Sequence, residues 1–425
     1  MEQIVWRAER RKVSELIHWD KNPRKIADKD FEKLKERIKA RGFHDVIKID
    51  TDNVILSGNM RKDALQALGV EEVNVLVPSR ALITEERVVI ALESNRNDGE
   101  DDAEKLMELG VGNLFEAGYD EAELSGLLDH LDTEDDGFDE KKAIEEAKKQ
   151  SSVKEGDIYQ LGDHVLMCGD STNIRDVAKL MHGGYARMIY CDPPYNIGLD
   201  YSKGIGTAGK YQGVSKADID DSKTNEGYST FVEATIRNAV AHAEKDAHVF
   251  YWCDERYIWV FQTLFEACGV ANKRVCLWIK NNQNQTPQVA FNKAYEPCVY
   301  GTIGRPYLNP GLRNLNEILD KEVGAGNEVH EDIMDIFTLW LTKRVNATEY
   351  EHPTQKPTEL HEKPLKRCTA PGDVVLDLFG GSGSTLMACE QLKRKSRLME
   401  MNPIFAQVIL NRWEAYTGKK AEKIV

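Results

Sequence analysis

The stretch Val374-Val375-Leu376-Asp377-Leu378-Phe379-Gly380-Gly381-Ser382-Gly383-Ser384-Thr385 decides the fold. Its apolar opening reads as a buried strand, its glycines as a tight loop, and Ser384 as the start of a helix. Glycines let the backbone approach a ligand with no Cβ in the way, and a helix N-terminus offers free N–H groups. Twenty residues beyond Gly380, Glu400 ends the next apolar run. An acid at that place can hydrogen-bond both ribose hydroxyls of an adenosine. A glycine-rich loop alone is equally a structural turn. Strand, loop, helix, strand and terminal acid together point to an adenosine-bearing cofactor. No Gly-Lys-[Ser/Thr] follows the loop, which disfavours a P-loop and ATP hydrolysis.

Working outward, residues 151–425 alternate apolar runs with amphipathic stretches. Strands are predicted at Val165–Cys168, Met188–Cys191, Ala247–Trp252, Arg274–Ile279, Pro297–Thr302, Val374–Leu378 and Ser396–Glu400. Helices fit 173–182, 228–244, 254–268, 358–369, 384–394 and 403–416. This alternation predicts an α/β fold with a doubly wound, mostly parallel sheet.

Asp192-Pro193-Pro194-Tyr195 closes one of these strands, Met188-Ile189-Tyr190-Cys191. A carboxylate, two rigid prolines and an aromatic ring can grip an exocyclic amine and stack the flat ring that carries it. Asp-Pro and Pro-Pro also mark ordinary loop starts, so the four residues do not decide the matter alone.

In company with the cofactor stretch they resemble the beta class of amino-group DNA methyltransferases, which use S-adenosyl-L-methionine. Further segments match in the same order. Gly156–Gly162 and Met167-Cys168-Gly169-Asp170-Ser171-Thr172 resemble the opening hairpin and the cofactor-adenine contact. Leu277-Trp278-Ile279-Lys280-Asn281 and Tyr295-Glu296-Pro297-Cys298-Val299-Tyr300 resemble central strands, and His352-Pro353-Thr354-Gln355-Lys356-Pro357 the segment before the cofactor loop. Two positions depart from the family's habit: Leu378 stands where Pro is common, and Asn402 where Asp is common.

The resemblance covers about 151–420 and implies a Rossmann-like methyltransferase sheet. It implies Asp192, Pro193, Pro194 and Tyr195 as catalytic residues. It implies Asp170, Asp377, Phe379, Gly380, Gly381, Ser382, Gly383, Ser384, Glu400 and Lys356 as cofactor residues. Asp192 and the Pro193 carbonyl would accept the two N–H bonds of adenine N6, with Tyr195 stacked on a base rotated out of the duplex. Adenine N6 is favoured over cytosine N4 because, in this family, Asp as first residue leans to adenine and Ser to cytosine. Asp192 also speaks against a protein-glutamine methyltransferase, which usually carries Asn there. Double-stranded DNA is the implied partner, and a homodimer is compatible. Recognition is assigned to 302–350, helped by Lys203, Lys210, Lys216 and Lys223 in the loop 196–226 and by Lys280. A solvated loop explains those loop lysines equally well.

The net charge of −15 looks unsuited to DNA until it is divided: residues 97–150 alone carry −14. This stretch reads as an acidic, partly helical, solvated linker, in which Leu106, Leu109, Leu114, Leu124, Leu127, Leu128 and Leu131 could build a small helical hairpin. The eight cysteines form no C-x-x-C pair, which argues for reduced thiols and against structural zinc. Cys191 reads as a strand residue, and no Pro-Cys context exists for cytosine-C5 chemistry. No run of 18 apolar residues and no signal-peptide core are present, so a cytoplasmic protein with no membrane span is expected, and the resemblance implies an enzyme of a bacterium or phage.

The expected domains are 1–95, 96–150 and 151–425. Asn22-Pro23-Arg24-Lys25 and Ile55-Leu56-Ser57-Gly58-Asn59-Met60-Arg61-Lys62 resemble the ParB/sulfiredoxin-like domain. That resemblance implies a phosphate or nucleotide site at Arg24, Ser57, Gly58 and Arg61, although the usual Arg-Arg pair is displaced and a scaffolding or DNA-docking role competes. A DNA-binding partition or regulatory factor without activity is the reading of a different class. Intact Asp192, Tyr195, loop glycines and Glu400 argue against it.

Overall fold

The computed structural model describes residues 3–21, 28–95, 105–106, 109–128, 131–197, 223–284, 293–312, 315 and 356–424. The chain divides into two compact units, Met1–Leu127 and Leu128–Val425. No helix among the described residues is long and apolar enough to cross a membrane.

The first unit contains β1 (Trp6–Lys12), α1 (Asp28–Arg41), β2 (Ile47–Ile49), β3 (Ile55–Ser57), α2 (Asn59–Ala67), β4 (Glu72–Pro78), α3 (Thr84–Asn95), α4 (Val111–Glu116) and α5 (Glu121–Leu128). Its four-stranded sheet runs β1-β4-β2-β3. Ile47, Ile49, Ile55, Leu65, Val73, Val75 and Val77 fill its core. β1 escaped the sequence reading because WRAERRK shows no apolar alternation; as an edge strand it needs only backbone pairing with β4. Leu106, Leu109, Leu114 and Leu124 bury against Val88 and Leu92 of α3.

The second unit continues with α6 (Glu140–Gln150), β5 (Ile158–Leu161), β6 (His164–Cys168), α7 (Ile174–Met181), β7 (Ala186–Cys191), α8 (Asn225–Val240), β8 (Ala243–Trp252), α9 (Ile258–Ala267), β9 (Ala271–Asn284), β10 (Lys293–Ile303), α10 (Glu362–Cys368), β11 (Val374–Asp377), α11 (Ser384–Gln391), β12 (Lys395–Glu400), α12 (Pro403–Thr417) and β13 (Glu422–Lys423). Nine strands form one sheet in the order β13-β5-β6-β12-β11-β7-β8-β10-β9. The five strands β6, β12, β11, β7 and β8 are mutually parallel, and β10 enters antiparallel. The seven strands read from the sequence are all present, and the Rossmann-like α/β sheet is the observed fold.

Both faces of β7 are covered, which is why it is apolar from Met188 to Cys191. On β7, Ile189 and Cys191 point into a core built with Val177, Tyr228, Val232 and Phe261. Met188 and Tyr190 point the other way, against Leu360, Leu365, Ala388 and Leu392. Chain order reverses between β11 and β7, so their C-terminal ends open a crevice at the switch point of the sheet.

The acidic stretch 97–150 is not one solvated linker. It divides at Leu127/Leu128, and its second part packs on the nine-stranded sheet unit. Ile144 and Ala147 of α6 bury against Val408 of α12. Thr133 donates from both N and Oγ1 to Glu362 Oε2, at 2.8 Å each. Counting charge missed this because the few side chains that dock are scattered among many that remain in water.

Candidate active site

The loop after β7 and the loop after β11 leave neighbouring strands side by side, because Val375 pairs with Met188 and Leu376 with Ile189. Their exits are tied directly: the Leu378 N–H donates to Cys191 Sγ at 3.5 Å. A proline at 378 would have no N–H to give. Burial pushes the Cys191 thiol well up, in keeping with a strand residue.

Asp192 carries two differently used oxygens. Oδ2 accepts from Lys356 Nζ at 2.5 Å, while Oδ1 is buried with no hydrogen-bond partner among the described residues. A buried carboxylate oxygen without a donor is costly unless a ligand supplies one. Lys356 also donates to the Tyr195 hydroxyl at 2.9 Å, and that hydroxyl donates to Glu296 Oε2 at 3.1 Å. The ammonium lies 4.6 Å from the centre of the Trp252 ring. Burial alone would lower the Lys356 pKa, but the facing carboxylates of Asp192 and Glu296 outweigh it and hold the pKa above its ordinary value. Burial first, and then those two carboxylates, push the Tyr195 hydroxyl well up, so it stays a donor. The Pro194 carbonyl accepts from the Tyr228 hydroxyl at 2.8 Å, which fixes the turn from α8.

Lys356, expected among the cofactor residues, bonds Asp192 and Tyr195. Glu296, Trp252 and Tyr228 were not singled out by the sequence reading. Glu296 lies in a quoted motif, but nothing local distinguishes it from any half-buried strand acid.

The glycine loop is shaped by close packing. A Cβ on Gly380 would stand 3.0 Å from Leu398 and 3.1 Å from Ile409, whereas one on Gly381 would meet nothing within 4 Å. Gly381 (φ 52°) and Gly383 (φ 86°) take left-handed conformations that suit glycine. Glu400 accepts from Gly381 N through Oε2 and from Asn402 N through Oε1, at 2.8 Å each. Burial raises its pKa to about 7, against the pull of those two backbone donors. Asp377 accepts from Phe379 N at 2.9 Å, and burial lifts its pKa to about 8. Phe379 lies edge-on to Phe231, 6.0 Å between centres. Asp170 accepts from both N and Oγ1 of Thr172, and the Gly169 N–H bonds the Glu400 carbonyl. Ser384 Oγ bonds the buried His361, whose other ring nitrogen meets the Tyr190 hydroxyl. Asn402 caps α12 by accepting from Ile404 N at 2.9 Å, work that Asn does as well as Asp. The glycine loop, the strand-end acids Asp377 and Glu400, each held by backbone N–H groups, and Asp170 together form a cradle able to hold an adenosine-bearing group.

Other expected positions divide. Lys223 donates its N–H to Asn196 Oδ1 at 2.7 Å, and its ammonium stands over Phe231. Lys203, Lys210 and Lys216, most of 302–350, the His352–Gln355 part of its motif, and Arg24 lie outside the described residues, as does the side chain of Lys280. In the first unit Ser57 and Gly58 lead into α2, but Arg61 pairs with Asp45 at 2.6 Å.

Residues 186–411, more than half of the chain, match the DNA methylase family N6_N4_Mtase. The chain is 27% identical over 232 residues to "Type II methyltransferase M2.DpnII" of Streptococcus pneumoniae, covering 54% of this chain and 82% of that protein. It is 35% identical over 89 residues to "DNA adenine methyltransferase YhdJ" of Escherichia coli K12, covering 20% and 30% respectively. The crystal structure of M1.HpyAVI aligns with a TM-score of 0.40 at 18% identity, covering 58% of this chain and 96% of that one. With its match spanning the strands that carry both loops of the crevice, the chain belongs to the N6/N4 DNA methylase family and is a DNA methyltransferase of the amino-methylating kind.

Proposed function

We propose that this chain methylates adenine N6 in double-stranded DNA, taking the methyl group from S-adenosyl-L-methionine. The observation that carries the reading is Asp192 Oδ1, a buried acceptor without a donor among the described residues, just past the C-terminal end of β7. An exocyclic amine is the donor that chemistry would place there. Accepting its N–H bonds draws electron density back onto a nitrogen whose lone pair is otherwise delocalised into the ring. Alignment with an electrophilic methyl is then most of what remains to be supplied.

The cradle fits the cofactor. Glu400 would hold the ribose, Asp170 the adenine ring, and Asp377 with Phe379 the methionine part, while Gly380, Gly381, Ser382, Gly383 and Ser384 supply the close backbone. When bound, the cofactor contributes an activated sulfonium methyl. Lys356 and Glu296 hold Asp192 and Tyr195 in place, and the target base must be extruded from the duplex to reach them. A carboxylate as first residue of the Asp-Pro-Pro-Tyr unit supports adenine over cytosine N4, as does the likeness over 89 residues to a relative named a DNA adenine methyltransferase. Relatives named Type II methyltransferases support a bacterial restriction–modification setting and a cytoplasmic location. For residues 1–95 the reading is a ParB/sulfiredoxin-like accessory domain, supported by Gly58 at φ 109° opening α2.

The test is transfer from labelled S-adenosyl-L-methionine to unmethylated DNA, followed by digestion to nucleosides. Label in N6-methyladenine is the expected result. Label in N4-methylcytosine would move the reading to the cytosine branch, and no incorporation would defeat it.

A further inference from the structure

Arg412, on α12 behind the glycine loop, is almost wholly removed from water and makes three hydrogen bonds. Nε and one terminal nitrogen hold the two oxygens of Asp136, at 2.6 and 2.8 Å. The other terminal nitrogen donates to the Ser382 carbonyl at 3.0 Å. The Asp136 side chain is only 4% exposed and that of Arg412 3%, so this is a sealed, bidentate pair. Phe138 lies against the guanidinium, 4.2 Å from its ring centre.

Ser382 stands between Gly381 and Gly383, both with positive φ. A loop of that composition has many backbone states to lose, and something must select one. Arg412 holds the single carbonyl between the two most permissive residues. Its own orientation depends on Asp136, since a buried guanidinium without its carboxylate would be driven toward water. Asp136 belongs to the segment 131–139, which is fastened elsewhere: Asp132 to Lys366, Thr133 to Glu362, and Glu134 to Gln391 in both directions.

We propose that Asp136 and Arg412 are positioning residues that couple docking of the segment 131–139 to the shape of the cofactor loop. Cofactor affinity then depends on a stretch of chain far from the cofactor loop in sequence and joined to it through Arg412. Linkage makes the coupling reciprocal: a ligand that requires the ordered loop must also tighten the segment. The inference rests on the loop being the S-adenosyl-L-methionine site.

The experiment uses the full chain. Calorimetric titration of the wild type with S-adenosyl-L-methionine tests the site itself, and absence of binding there would sink the functional reading and this inference together. With binding in hand, hydrogen exchange of 131–139 is followed with and without cofactor, a readout that needs no variant and that a purely structural strap would not move. Slower exchange in the presence of cofactor is expected. In parallel, Asp136→Asn should raise the cofactor KM about tenfold while leaving kcat at saturation and DNA affinity near wild type. Thr133→Val, which leaves the ion pair intact, should show a smaller shift of the same kind. Exchange indifferent to cofactor, or an Asp136→Asn protein binding cofactor as tightly as wild type, would overturn the proposal while leaving the site standing.

Discussion

The ammonium of Lys356 lies 2.5 Å from Asp192 Oδ2, although the two residues stand 164 positions apart. This contact occupies one carboxylate oxygen and leaves the other, Oδ1, buried and without a donor among the described residues. Removing the acceptor by Asp192→Ala should lower transfer more than ~1000-fold while cofactor titration stays near normal. Near-normal turnover of that variant would show that the amine is gripped elsewhere.

Lys356→Met separates holding from accepting. It leaves Asp192 and Glu296 facing each other in a buried place without the charge between them. Breaking such a cluster costs about 3–5 kcal/mol. Denaturant unfolding should show a loss of that order, and single-turnover rates a drop of at least ~10-fold, since Asp192 loses its fixed orientation. An unchanged unfolding midpoint would contradict the pairing.

Gly380→Ala tests the packing behind the cofactor loop. The added methyl would press on Leu398 and Ile409 at 3.0 and 3.1 Å, and overpacking of this kind costs about 1–3 kcal/mol. Cofactor affinity should fall with stability, because the loop can relieve the clash only by moving toward the ligand. Gly381→Ala meets no neighbour, yet sits at φ 52°. It should cost less in packing and show mainly backbone strain.

Cofactor binding should depend on pH. Burial sets the Glu400 pKa near 7, and its ionised form is the better acceptor for ribose hydroxyls. A ligand that favours the ionised form binds more weakly as pH falls through that value, by up to about tenfold per unit. Asp377, raised by burial to about 8, adds a step of the same sign if a positively charged part of the ligand lies beside it. Titrations at pH 6, 7 and 8 should therefore show steadily rising affinity. A flat profile would mean that neither acid changes protonation on binding.

Asn196 fastens the chain on both sides of residues 198–222. It accepts from Lys223 N and donates to the Lys223 carbonyl and the Tyr257 hydroxyl, at 2.7, 3.0 and 2.9 Å. Its φ of 55° also disfavours alanine. Asn196→Ala should cost about 1–3 kcal/mol through the polar groups left without partners. It should weaken DNA binding several-fold in an anisotropy assay while cofactor affinity holds. Equal DNA affinity would disconnect this fastening from the substrate.

The sequence by itself determined the sheet unit and the two loops, after β7 and β11, that its parallel strands set side by side. β7 with Asp192–Tyr195 and β11 with Gly380–Gly383 are local objects: apolar runs of strand length, ended by residues whose backbone preferences force a turn. Their family pattern is carried by short motifs in a fixed order, and Glu400 follows at a set spacing. What only the tertiary structure decided is pairing across the chain. Lys356 on Asp192, Arg412 between Asp136 and Ser382, and the docking of an acidic stretch that reads as solvated all depend on side chains that share no periodicity. So does β1, whose charged edge is held by backbone bonds to β4. Periodicity reports which face of an element is dry, whereas the partner of a buried charge is chosen by the packing that removes both from water.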